Sequence, residues 1–214
     1  MRRRTHDWGP GQRLGDSTDD HAAKRQRSEQ PAVEHCRGNL ISSDAQYICH
    51  QTNTDKDAKH TVELSGPALQ AYRRKKARGL AAQIFRRFPY SHVLGAGDTY
   101  ANRHQRIGRA TIHGDGAGKR FVVSLFGQLG CKRDKRYGEL IDSNVNRLRW
   151  FKAALRDFEA QAHSPARPPL TSVAFPDKIG CGLAGGRWSD YLHEIEEFKR
   201  RNPLVRVIVI EYSE

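Results

Sequence analysis

Apolar residues in this chain fall into short continuous runs and into longer stretches with helical spacing, and the two kinds alternate. Short apolar runs bounded by turn residues read as buried strands, whereas apolar positions three and four apart read as helix. Residues 36–40 (Cys-Arg-Gly-Asn-Leu) give a short strand or a turn, and residues 45–50 (Ala-Gln-Tyr-Ile-Cys-His) a buried strand that ends in the polar cluster His50-Gln51-Thr52-Asn53. A helix begins around Arg78-Gly79-Leu80-Ala81, carries Leu80, Ile84 and Phe85 on one side, and stops at Phe88-Pro89. Residues 107–113 and 121–126 form two strands around Gly114-Asp115-Gly116-Ala117-Gly118. That glycine-rich turn joins two strands rather than opening a helix, so it is a hairpin turn and not a phosphate loop. Ser143 then caps a helix with Val145, Leu148, Phe151, Leu155 and Phe158 on one stripe, Trp150 being a packing residue. A strand at 172–175, a helix at 189–201 and an apolar strand at 205–210 complete the pattern. Strands alternating with helices imply an α/β layered fold with helices on both faces of the sheet.

The polar stretches between these elements divide the chain. Residues 1–34 show no sustained apolar period and are rich in Arg, Asp, Gly, Gln and Ser, a composition that cannot bury enough surface to offset ordering entropy. They are expected to be a disordered tail, with the folded domain covering 35–214. Residues 54–76 are polar and charged and read as an insertion ending in the basic run Arg73-Arg74-Lys75-Lys76, while 91–105 and 128–142 read as loops.

Composition sharpens this. A hydrophobic content of 37% is low for a compact globule of 214 residues, in keeping with a solvated tail. The formal net charge of +13 favours anionic partners, whether phosphorylated small molecules, nucleic acid or acidic surfaces. The clusters Arg2-Arg3-Arg4 and Lys24-Arg25-Gln26-Arg27 suit nuclear import or nonspecific nucleic-acid contact, or else belong to a solvated polyampholyte, since Asp16, Asp19 and Asp20 are interspersed. Cys36, Cys49, Cys131 and Cys181 lie far apart without metal-ligand spacing and read as reduced thiols of an intracellular protein, nuclear or cytoplasmic. No metal or cofactor is expected, and no apolar run approaches membrane-spanning length.

The chemistry concentrates in one stretch. Phe175-Pro176-Asp177-Lys178-Ile179-Gly180-Cys181-Gly182-Leu183-Ala184-Gly185-Gly186-Arg187-Trp188 leaves a strand, turns through four glycines and enters a helix. Such a turn lets backbone amides approach an anion, with the helix N-terminus behind them. A plain glycine-rich connection would read the same way. The polar cluster at 50–53 lies where open α/β sheets bind ligands, just past a strand end. If the two strands are neighbours, both segments face one crevice.

Taken together, Gly38-Asn39-Leu40, the strand ending Cys49-His50-Gln51-Thr52-Asn53, the turn Arg78-Gly79-Leu80-Ala81 and the loop Ile179-Gly180-Cys181-Gly182-Leu183-Ala184-Gly185-Gly186 occur in macro-domain order. The chain resembles that family over roughly residues 35–212, and within it the branch of terminal ADP-ribose protein glycohydrolase and the ADP-ribose 1''-phosphate phosphatases. The resemblance implies a three-layer α/β/α domain around a mixed sheet that binds ADP-ribose in a cleft at the strand ends. It places Asn39 where an Asp accepts a hydrogen bond from the adenine amino group; an Asn carbonyl also accepts, without charge. It places Asn53 on the distal ribose, Gly79, Leu80 and Ala81 in a first diphosphate loop, Ile179 to Gly186 (Ile179, Gly180, Cys181, Gly182, Leu183, Ala184, Gly185, Gly186) in a second, and Tyr212 against adenine.

The same comparison shows departures. The glycohydrolase branch has an Asp where this chain has Ala184, and a lysine in the helix after the first loop, where the nearest basic residues here are Arg86 and Arg87. Arginine stays protonated and is a poor nucleophile. Candidates left for catalysis are His50, which could act as acid or base or else merely cap the strand or contact ribose, and Asn53, with Arg187 and Asp190 nearby. Cys181 is either a thiol activated by the anion-binding turn or a packing residue. Three functions follow: a hydrolase of ADP-ribose 1''-phosphate or ADP-ribosyl esters, a non-catalytic reader of ADP-ribose or ADP-ribosylated protein, and a basic nucleic-acid-binding module. The missing Asp and Lys favour the reader.

Overall fold

The computed structural model describes residues 32–53, 79–91, 105–130, 142–182 and 184–213. The expected tail (through residue 31), the insertion at 54–76, most of the 91–105 and 128–142 loops, Cys131 and Leu183 lie outside the described residues.

Six strands form one sheet in the order β1-β6-β5-β2-β4-β3. They are β1 (Glu34–Gly38), β2 (Tyr47–Asn53), β3 (Ala110–His113), β4 (Phe121–Gln128), β5 (Ser172–Pro176) and β6 (Arg206–Tyr212). All neighbouring pairs are parallel except β3 with β4, which are antiparallel. The hairpin read from the glycine-rich turn at 114–118 is therefore present, and Gly114 and Gly116 adopt positive φ there. The sheet is mixed, and β5 and β2 are neighbours, so the C-terminal ends of the two strands that carry the candidate ligand segments lie side by side.

Strand alternation sorts the core into two layers. Tyr47, Cys49, Phe121, Val123, Val173, Phe175, Val207 and Val209 face one side, where they meet α2 (Asn144–Ala162) and α3 (Trp188–Arg201). Ile48, Val122, Phe126, Ala174, Ile208 and Ile210 face the other, covered by Ile84, Phe85 and Phe88 from α1 (Gly79–Arg87) and its exit. The result is the three-layer α/β/α architecture expected. All eight residues of β4 are buried, as suits a strand covered on both faces.

Three details differ from the reading of the pattern. The polar cluster at 50–53 is not past the strand end: it is the second half of β2, because parallel β4 offers ladder partners as far as Asn53 opposite Gln128. β3 is shorter than expected, since Gly108 at φ +71 turns the chain just before it. Val145 is 77% exposed, because the inward stripe of α2 runs through Arg147, Phe151, Ala154, Leu155 and Phe158. Two residues before Arg147, Val145 points ~200° round the helix. The Ser143 cap is as expected, its hydroxyl accepting from the Asn146 amide at 3.2 Å.

Candidate glycine-loop site

The turn from β5 into α3 is built around two buried side chains that the glycine pattern does not announce. The first is Tyr191, 1% exposed, in the first turn of α3. A Cβ added to Gly180 would stand 2.2 Å from Tyr191 Cε1, and one added to Gly186 2.4 Å from Cε2. Gly186 N donates to Gly180 O at 3.0 Å, closing the loop on the tyrosine ring. Two of the four glycines therefore lack a side chain because an aromatic ring occupies that space. Gly185, at φ +70, answers a conformational need instead. Gly182 meets nothing within 4 Å, so it is the glycine that leaves room for something outside the protein.

The second is Arg147 on α2. It is 1% exposed and forms a bidentate pair with Asp142, Nε to Oδ1 at 2.7 Å and Nη2 to Oδ2 at 2.5 Å. Its remaining nitrogen, Nη1, donates to the Ala184 carbonyl at 2.7 Å. With that carbonyl held inward, the loop also uses the amides of Cys181 (to Lys178 O, 2.9 Å) and Gly185 (to Gly182 O, 3.1 Å) internally. Among the described residues, the amides of Gly182 and Ala184 donate to nothing. These N–H groups lie beside the N-terminus of a 14-residue helix, a setting in which free amides favour negative charge. Arg187, at the N-cap, holds Asp190 with contacts of 2.7–3.0 Å, which lowers the Asp190 pKa and satisfies its carboxylate locally.

Cys181 is no activated thiol. Burial, reinforced by the Asp177 and Asp190 carboxylates, pushes it up to about 11. Cys36, Cys49 and Cys181 are all free cysteines.

Of the β2 candidates, His50 is 1% exposed and faces the α1 layer, its Nε2 3.1 Å from Ser124 Oγ and its ring edge-on to Phe85. That is the setting of a core histidine, inside the sheet and not at its rim. Asn53 is half-buried and is the last residue of β2, at the sheet's C-terminal edge. Gln51, on the α2/α3 side, reaches the glycine loop directly: its Oε1 would lie 2.7 Å from a Cβ on Gly180, and its Nε2 donates to Gln128 Oε1 at 2.9 Å.

The remaining candidates lie on the α1 side. Gly79, Leu80 and Ala81 form the first turn of α1 and not a loop; Gly79 adopts φ +58 with open space at its Cβ position, while Leu80 and Ala81 pack against the α1-side core. Asn39 caps a 3-10 turn at Leu40–Ser42, its Oδ1 accepting from the Ile41 amide at 3.0 Å. Arg120 braces that turn by donating to the Ile41 carbonyl and to Ser43 Oγ, each at 3.3 Å. Tyr212, 60% exposed, is registered opposite Gly38, so the two adenine candidates Asn39 and Tyr212 stand at adjoining strand ends. The sequence reading missed Tyr191, Arg147 and Asp142, and named Gln51 only as part of the polar cluster at 50–53; the extra aromatic in the first turn of α3 is the one signal for the first.

Among the described residues, no group of three or more His, Cys, Asp or Glu could hold a metal ion, and no helix is long and apolar enough to cross a membrane.

No protein-family model and no curated protein matches the chain. Solved structures do. The macrodomain of Thermus aquaticus DarG aligns with 85% of this chain and 98% of its own at 20% identity and a TM-score of 0.50. The macrodomain of Mycobacterium tuberculosis DarG aligns at 16% identity and 0.46, over 85% of this chain and 98% of its own. An Oceanobacillus iheyensis macrodomain with ADP aligns at 16% identity and 0.43, over 84% of this chain and 83% of its own. With its six-stranded mixed sheet between two helical layers and its match to the Thermus structure, this chain has the macrodomain fold.

Proposed function

We propose that this protein binds ADP-ribose, free or attached to a target protein, through the turn between β5 and α3. The observation that carries the reading is the state of that turn: its carbonyl at Ala184 is locked inward by Arg147, and the Gly182 and Ala184 amides have no acceptor among the described residues, beside a helix N-terminus. A diphosphate supplies the acceptors such amides lack, and the turn follows the C-terminal end of β5, one of the parallel strands of the sheet, where α/β proteins take their ligands. Asn53 at the end of β2 would take the distal ribose, and Asn39 with Tyr212 the adenine.

The reader reading is preferred over the hydrolase. His50 is enclosed by the sheet and α1, Asp190 is tied to Arg187, and Ala184 offers no carboxylate in the loop. Isothermal titration with ADP-ribose tests binding; no heat at millimolar ligand would sink the proposal. Incubation with ADP-ribosyl-glutamate protein and with ADP-ribose 1''-phosphate tests the preference, since release of free ADP-ribose from either would make the protein an enzyme.

A further inference from the structure

The tyrosine ring inside the glycine loop has no role in the scheme so far. Its two edges face Gly180 and Gly186, at separations that leave no room for a Cβ on either residue, and the Gly186 N to Gly180 O bond of 3.0 Å ties the loop shut across it. At the hydroxyl end Gln51 closes the space, tied through Gln128 to the Gly130 carbonyl at 2.9 and 3.0 Å. On its inner side the ring packs on Phe151 of α2, centroids 4.8 Å apart. A flat ring held from strand, loop and helix sets the spacing of the two glycines, and with it the direction of the amides between them.

We infer that Tyr191 is a positioning residue: its ring is the template on which the loop from Gly180 to Gly186 is shaped, so that the loop holds its binding form before a ligand arrives. The template is the flat ring; its buried hydroxyl has no hydrogen-bond partner among the described residues. The consequence for affinity rests on the proposed ADP-ribose reading; the consequence for the empty loop does not.

The test compares full-length wild type, Tyr191→Phe, Tyr191→Leu and a control, Phe198→Ala, which truncates the same helix's core face away from the loop. The first measurement is amide hydrogen exchange of Cys181, Gly185 and Gly186 without ligand. The Leu variant, branched where the slot is flat, should exchange these amides about tenfold faster, while the Phe and control variants stay within about threefold of wild type. Wild-type rates in the Leu variant would overturn the inference, as would equally fast exchange in the Phe or control variant. The second measurement is ADP-ribose titration, where the Leu variant should bind about tenfold more weakly and the Phe variant within about threefold. If wild type itself does not bind, the proposed function falls and the exchange result alone decides the template. If wild type binds and the Leu variant binds equally well, the template falls and the proposed function stands.

Discussion

The guanidinium of Arg147 and the carbonyl of Ala184, 37 residues apart, are joined by a 2.7 Å hydrogen bond that is buried from solvent. The bond fixes which way one peptide of the glycine turn points, and it does so from a helix whose sequence carries no sign of a ligand site. Because the same guanidinium makes a bidentate pair with Asp142, its geometry is set before it meets the loop.

Replacing Arg147 by Met should leave the Asp142 carboxylate buried without its partner and cost about 3–5 kcal/mol of folding stability. Urea unfolding followed by circular dichroism measures this. The double variant Arg147→Met/Asp142→Leu, which removes both charges, should recover most of the loss. The two variants together separate a broken pair from a missing contact.

The glycines of the turn should respond in opposite ways to substitution. Gly182→Glu has open space for its side chain, so the fold should keep its melting temperature while ADP-ribose binding disappears, a carboxylate now standing where the diphosphate would lie. Gly186→Ala should instead lose about 1–3 kcal/mol, since its Cβ would meet the Tyr191 ring at 2.4 Å and the Gly180 carbonyl at 2.7 Å. Calorimetric melting and titration on both variants decide the matter. A melting loss in Gly182→Glu would move the loop's open face elsewhere.

Alkali should unfold the protein in a window set by thiols and phenols that folding takes out of water, Cys49, Cys181, Tyr47 and Tyr191 among them. Burial first, then the neighbouring carboxylates, raises Cys181 from 9.0 to about 11. Burial first, then Cys181, raises Tyr191 from 10.0 to about 12. For groups raised in the folded state, stability is fully present below the unfolded value and is lost as pH climbs through the folded one. The denaturation midpoint should therefore hold steady up to about pH 9 and fall between pH 9 and 12. Cys181→Ala should make that fall shallower while its onset stays at about pH 9, because Cys49 is raised by burial as well.

Thiol chemistry offers an independent check. Cys36 is exposed on β1, whereas Cys49 is fully buried and raised by desolvation, and Cys181 stays protonated at neutral pH. Brief treatment with iodoacetamide at pH 7.5, mapped by mass spectrometry, should alkylate Cys36 well before Cys181 or Cys49. Fast labelling of Cys181 would show a thiolate on the turn and reopen a nucleophilic role.

Much of the fold was legible because it is written locally. The apolar runs at 47–50, 172–175 and 206–210 and the cap at Ser143 each depend on a few consecutive residues and a period. The glycine turn was legible for the same reason, Gly180, Gly182, Gly185 and Gly186 lying close together in the chain. What went unread depends on residues far apart. Gln51 looked like the exit of a strand but is a ladder residue, because β4 places Leu125 opposite it and Gln128 within reach of its side chain, 77 positions away. Arg147 sits in an amphipathic helix with nothing local to mark it, and its burial follows from Asp142 and Ala184. Tyr191 carries no local mark of its part in the turn, which follows from Gly180 and Gly186 lying against its ring. His50 was read as a rim group, and only the pairing of β2 with β4 shows it enclosed beside Ser124.

The place of β6 has a temporal consequence. β1 takes its hydrogen bonds from β6, Glu34 opposite Ile208 and Gly38 opposite Tyr212, and β6 in turn fills the gap between β1 and β5. During synthesis β1 emerges first of the described strands and yet has no seat until the chain beyond Arg206 has left the ribosome. The nascent chain must carry an unpaired strand through the making of some 170 further residues, a long-range closure of the kind that slows folding. The short, charged character of β1, with Glu34 and Arg37 among its five residues, suits a strand that waits in solvent without pairing with another chain.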